Sequence, residues 1–171
     1  MLFLMFSILG VVIGCNVRPL DVKCDEGWTP VQRKLSGRCL KIVETTNQPD
    51  CYNTNGWFSG VESYDELNTI MSMMKAEEIT MVSVWVSIEQ NCDCSNGTCP
   101  ITEECKIPSV WNWIDETVTG REMFEAVKPQ FLDQNRYGTS IAISTDNDTG
   151  LIDVDYLHTT ISYYVCGKKS N

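Results

Sequence analysis

At 171 residues the chain has room for one domain with a sizeable core, and its 43% hydrophobic content excludes a disordered chain. A formal net charge of -10 argues against the basic surface that phosphate binding needs, so nucleic acid is not an expected partner. The acidity itself is read as a solubility device.

The first segment, MLFLMFSILGVVIGC, carries no charge and is apolar over a length that suits a signal peptide and falls short of a bilayer span. Cleavage is expected beside Gly14 or Cys15, leaving residues 16–171 as one domain with its core at 24–168. A short membrane anchor or a buried strand is the competing reading. The VIGC tetrad also looks like a lipoprotein site, but the start lacks the basic residues that would go with it. The mature chain is expected outside the cell, with no membrane span.

Next, GRCLKIVE reads as a strand with Leu40 and Ile42 on one side. Gln48-Pro49-Asp50 is turn chemistry. SYDELNTIMSMMKAEE reads as a helix: Ser63 caps it, Glu66 takes the capping-box position, and Leu67, Ile70, Met71 and Met74 make one apolar face. Core packing is preferred over a methionine binding stripe for that face. Thr80–Ile88 is β-rich. A long irregular stretch then runs from Glu89 to about Ser140, of a length that is usually functional or strapped down. TSIAIST and SYYVCGK read as two further strands. The sum is a single α+β domain.

The stretch NCDCSNGTCPITEEC holds Cys92, Cys94, Cys99 and Cys105. Its spacing is neither the paired knuckle of a structural zinc site nor the C-x-x-C of a redox centre. In an oxidising compartment disulfides are the default. Of nine cysteines, cleavage after Cys15 leaves an even set. Cys92 and Cys94 are too close to pair with each other, so each reaches Cys99 or Cys105, and the spacing leaves the choice open. Asn96 and Asn147 head glycosylation sequons.

In order along the chain, CDEGW, GRCLKI, Cys51 with GWFSGVESYDEL, VWVSI, WNWIDETVTG and YYVCGK resemble the landmarks of the C-type lectin-like domain. The long-loop details look most like divergent secreted members from nematodes. The resemblance implies two helices and small antiparallel sheets around a long, disulfide-stapled loop, with Cys24–Cys39 and Cys51–Cys166 pairs. The four clustered cysteines would then staple an insertion in that loop. A further family disulfide falls by alignment at Ser140 and Tyr156, both of which have lost their sulfur together.

Sugar-binding members hold a calcium ion with an EPN or QPD triplet in the long loop and a WND triplet in the next strand. Calcium wants six to eight oxygens. Here the triplets read Lys128-Pro129-Gln130 and Leu151-Ile152-Asp153. One carboxylate, one amide and a lysine do not make that shell, so no cofactor is expected at the usual sugar site. Asp146-Asn147-Asp148 lacks the rest of a calcium loop and reads as an exposed turn. Lys128, Gln130 and Asp153 remain candidate ligand contacts, with Phe124 and Tyr137 added as aromatic residues able to stack on a sugar or anchor a partner. Trp111 and Trp113 are assigned to the loop's own small core. The sole histidine, His158, comes with no nucleophile-elbow or metalloprotease motif, so an enzyme is not expected. The expected function is binding of an extracellular glycan or protein without calcium. A role in innate recognition of microbes is implied by the resemblance alone. The alternatives are a calcium-dependent lectin with a non-standard site and a passive coat or matrix component.

Overall fold

The structure, a computed structural model, describes residues 21–44, 51–88, 111–127, 140–146, 150–154 and 160–171. A hairpin of β1 (Thr29–Gln32) and β2 (Gly37–Glu44) opens the fold. β2 has the bounds read from GRCLKIVE, and Leu40 and Ile42 are both buried. It pairs antiparallel with β9 (Tyr163–Lys169) from Arg38↔Lys169 to Glu44↔Tyr163. The other edge of β9 is shared. β3 (Trp57–Phe58) pairs at Gly167 and Cys166, and β4 (Met81–Val84) meets Tyr164 in parallel. From β4 the sheet continues antiparallel to β7 (Ser140–Ser144) and then β8 (Leu151–Val154).

Cys24–Cys39 closes the hairpin, and Cys51–Cys166 ties the start of β3's segment to β9. The main core lies between the sheet and α1 (Tyr64–Ala76), with Leu67, Ile70 and Met74 facing Val82, Val84, Ile141 and Ile143. Ser63 caps α1, accepting from the Glu66 N–H at 3.2 Å. The Glu66 carboxylate does not close a capping box on Ser63. It accepts from the Glu62 N–H at 2.7 Å and turns into the interior.

Three features differ from the sequence reading. Two helices are implied by resemblance, but among the described residues α1 is the one α-helix. After Cys51 the chain makes a single 3₁₀ turn, Tyr52–Thr54, which Asn55 ends in the left-handed region at φ 57°, a conformation asparagine tolerates better than most residues. The β-rich run Thr80–Ile88 is two strands, because the chain breaks at Trp85 and leaves the large sheet. Its second part, β5 (Val86–Ile88), pairs instead with β6 (Trp111–Trp113). The stretch read as irregular therefore holds a strand, followed by a 3₁₀ turn at Glu122–Ala126. No helix among the described residues is long and apolar enough to cross a membrane.

Candidate ligand-binding surface

β5 and β6 form a two-stranded ribbon in which Ile88 lies opposite Trp111. Alternation along β6 sends Trp111 and Trp113 to the same side. Trp111 is fully buried. Trp113 stacks on Phe124 with ring centroids 4.3 Å apart and planes 21° from parallel. Gly60 makes room for this layer: a Cβ there would sit 2.7 Å from Trp113 Cε3. Arg121 closes it from outside, its guanidinium 5.6 Å from the Phe124 ring centre and bonded to the Asn112 side chain.

Below this layer a group of charged side chains is buried together. Arg33 stands at the turn of the β1–β2 hairpin. Its Nη2 reaches Glu66 Oε1 at 2.7 Å, its Nη1 reaches Asp115 Oδ2 at 2.7 Å and Thr117 Oγ1 at 2.6 Å, and Nη2 also donates to Ser59 Oγ and the Gly60 carbonyl. Arg38 approaches Asp115 from β2 at 3.3 Å. Glu62 joins the same segments at the rim, accepting from the Lys34 and Thr119 backbone N–H groups at 2.6 and 2.8 Å. Three distant parts of the chain, the hairpin, the start of α1 and the 115–119 turn, are thereby fixed to one another.

Their ionisation follows from this wiring. Burial alone would raise the Asp115 carboxyl, but the Arg33 charge, the Thr117 hydroxyl and Arg38 together hold it below its ordinary value. Glu62 is likewise pulled down against its partial burial by the bonds from Thr119 and the Lys34 N–H. Burial pushes Glu66 up, against the opposing pull of Arg33. Desolvation lowers Arg38, whereas the two carboxylates raise Arg33 despite its burial.

Of the candidate ligand contacts, two are described, and the structure places both inside. Phe124 is fully buried between Trp113 and Trp111, because the 3₁₀ turn aims it and Met123 at the core. Asp153 is 1% exposed. It alternates on β8 with Ile152 and Val154, sharing its face with Leu151 and standing opposite Ile141, and it is not a free carboxylate. Lys128, Gln130 and Tyr137 lie outside the described residues, as do His158, the sequons at Asn96 and Asn147, and Cys92, Cys94, Cys99 and Cys105. The charged group around Arg33 was not apparent from sequence. Glu66 carried only a capping signal, and Asp115 only its place in WNWIDETVTG.

No protein-family model and no curated protein matches the sequence. Solved structures do match. A calcium-independent type II antifreeze protein superposes with a TM-score of 0.56 at 15% identity, over 88% of this chain and 97% of that one. The SPL-1–GlcNAc complex gives 0.54 at 16% identity, over 85% and 94%. The mouse scavenger receptor C-type lectin carbohydrate-recognition domain gives 0.52 at 12% identity, over 86% and 98%. This is a C-type lectin-like fold. The stretch read from sequence as the long loop lies between β5 and β7, and β8 carries Leu151, Ile152 and Asp153. The outer side chains of residues 112–125 are polar, among them Asn112, Glu116, Arg121, Glu122 and Glu125.

Proposed function

We propose that the protein is a secreted binding module that takes an extracellular glycan or protein on its long-loop face without a calcium ion. The burial of Asp153 carries this reading. The strand that supplies calcium ligands in sugar-binding relatives offers here one oxygen-bearing side chain among Leu151, Ile152 and Val154, all buried. With one buried carboxylate on this strand and Lys128-Pro129-Gln130 standing in the sequence where the loop triplet belongs, an ion that wants six to eight oxygens is not expected there. Order in the loop's root comes from other sources: the stacked rings of Trp113 and Phe124 and the ion pairs of Arg33 and Asp115. That the fold works this way elsewhere is supported by the calcium-independent antifreeze protein, and the SPL-1–GlcNAc complex supports a glycan among the possible ligands. Recognition would then rest on hydrogen bonds from the polar outer face.

The test is a glycan and microbial-surface binding screen on oxidatively folded protein, run with calcium and with chelator. Binding and thermal stability are expected to be the same in both, since a ligand that binds only the folded state would otherwise raise its stability. Loss of both on chelation would overturn the proposal in favour of a calcium lectin. Absence of any saturable ligand would overturn it in favour of a passive coat component.

A further inference from the structure

A second surface stands apart from the long loop. Tyr52 and Trp57 are 58% and 43% exposed and touch edge to face, ring centroids 4.6 Å apart and planes at 88°. Large exposed rings in contact are the informative exception on a protein surface. These two are also held rigidly. Tyr52 follows Cys51 of the Cys51–Cys166 bridge, and Trp57 pairs with Gly167 on β9. Between them Gly56 lets the edge of Trp28 come close: a Cβ at residue 56 would lie 2.8 Å from Trp28 Cη2. Trp28 extends the surface to a polar rim. Lys168 Nζ sits 4.6 Å from the centre of the Trp28 ring and pairs with Asp25, whose other oxygen accepts from the Asn171 amide at 2.9 Å.

We propose that Tyr52, Trp57 and Trp28, with Asp25, Lys168 and Asn171 at their edge, form a binding site for a neutral oligosaccharide. Size favours a small ligand over a standard protein interface. The exposed parts of Tyr52 and Trp57 amount to on the order of 200 Å², whereas a standard protein interface needs about 800 Å² from each side. A patch of that size suits one or two pyranose rings, whose C–H faces pack on aromatic faces while the hydroxyls at their edges seek donors and acceptors. Asp25, Lys168 and Asn171 supply both. Charge decides against an acidic sugar: Lys168 is already neutralised by Asp25, and the whole chain carries -10. The site uses no residue of the long loop and does not depend on the function proposed for it.

The chain's five tryptophans give separate indole N–H signals to follow by NMR on ¹⁵N-labelled, oxidatively folded protein. Cellotriose, maltotriose and triacetylchitotriose are titrated to millimolar concentration in the presence of chelator, with sialyllactose as the anionic control. At least one neutral trisaccharide is expected to shift the Trp57 indole saturably and leave the buried Trp111 indole unmoved. Trp57→Ala and Tyr52→Ala should each weaken that binding by about tenfold, and Trp57→Phe should restore part of it and serves if the alanine variant fails to fold. Three results overturn the proposal: no movement of Trp57 with any neutral trisaccharide, equal affinity in the Tyr52→Ala and Trp57→Phe variants and the parent, or tighter binding of sialyllactose. Self-association in sedimentation that Tyr52→Ala abolishes would overturn it too, reassigning the rings to a contact between copies.

Discussion

Replacing Arg33 with alanine removes a buried side chain that joins the hairpin to both α1 and the 115–119 turn. Glu66, whose side chain is 0% exposed, would keep only the Glu62 N–H as a partner. Asp115 is better provided for, since Arg38, Ser59 and Thr117 still reach it. The loss is therefore mostly that of one buried carboxylate stripped of its cation, about 3–5 kcal/mol. Against a typical folding free energy of about 5–15 kcal/mol this is large, and for a domain of this size it corresponds to a fall in Tm of roughly 10 °C. Denaturant unfolding with disulfides intact, followed by tryptophan fluorescence, would measure it. Arg33→Lys should fall between, because one ammonium cannot serve Glu66 and Asp115 at once. Arg33→Met combined with Glu66→Leu should recover most of the loss, since the charge departs with its partner. If Arg33→Ala stays within about 1 kcal/mol of the parent, or if the double variant is no better than Arg33→Met alone, the reasoning about this buried pair is wrong.

Acid should destabilise the protein through Asp115 and Glu62. Both are held below their ordinary values of 3.8 and 4.5, so their contribution is complete above those values and drains away as pH falls below them. Glu66, pushed up by burial, has the opposite sign and blunts the effect. A plot of Tm against pH should be shallower on the acid side for Asp115→Asn than for the parent; parallel curves would show that Asp115 does not titrate as its contacts require. Removing the Cys51–Cys166 bridge, with a sequence separation of 115, should cost about 5 kcal/mol on the chain-entropy model, and removing Cys24–Cys39, separation 15, about 3 kcal/mol. Equal losses in denaturant unfolding would count against that order. Gly60→Ala should push Trp113 off Phe124, costing about 1–3 kcal/mol and altering the near-ultraviolet circular dichroism; an unchanged spectrum would mean that the ring layer tolerates a methyl group there.

Local signals in the sequence were reliable where local physics decides. β2 begins at Gly37 and buries Leu40 and Ile42 on one side, and Ser63 begins α1 as a capping residue should. The two disulfide pairs came from resemblance, not from spacing. What stayed hidden depends on partners distant in the chain. Trp85 ends β4 because the ribbon with β6 competes for the residues after it, and nothing between residues 80 and 88 reports that competition. After Cys51 the chain makes one 3₁₀ turn that Asn55 ends, and Asn-Gly at 55 and 56 is a turn signal in its own right. Arg33, Arg38, Glu66 and Asp115 look like ordinary surface charges until the fold brings them together. Phe124 and Asp153 show the converse: a ring and a carboxylate in plausible binding positions, each turned inward by the packing around it. The contact of Tyr52 with Trp57 follows from the tight turn at residues 55 and 56, which sequence placed only as part of a run into a helix.

Because Ile88 and Trp111 face each other across two paired strands, the segment between them is a cassette with both ends clipped to one spot. Chain length added or deleted inside such a clip changes the free energy of closure only logarithmically. Doubling the number of residues between 88 and 111 is thus expected to cost the closure of this ribbon only about 0.6 kcal/mol.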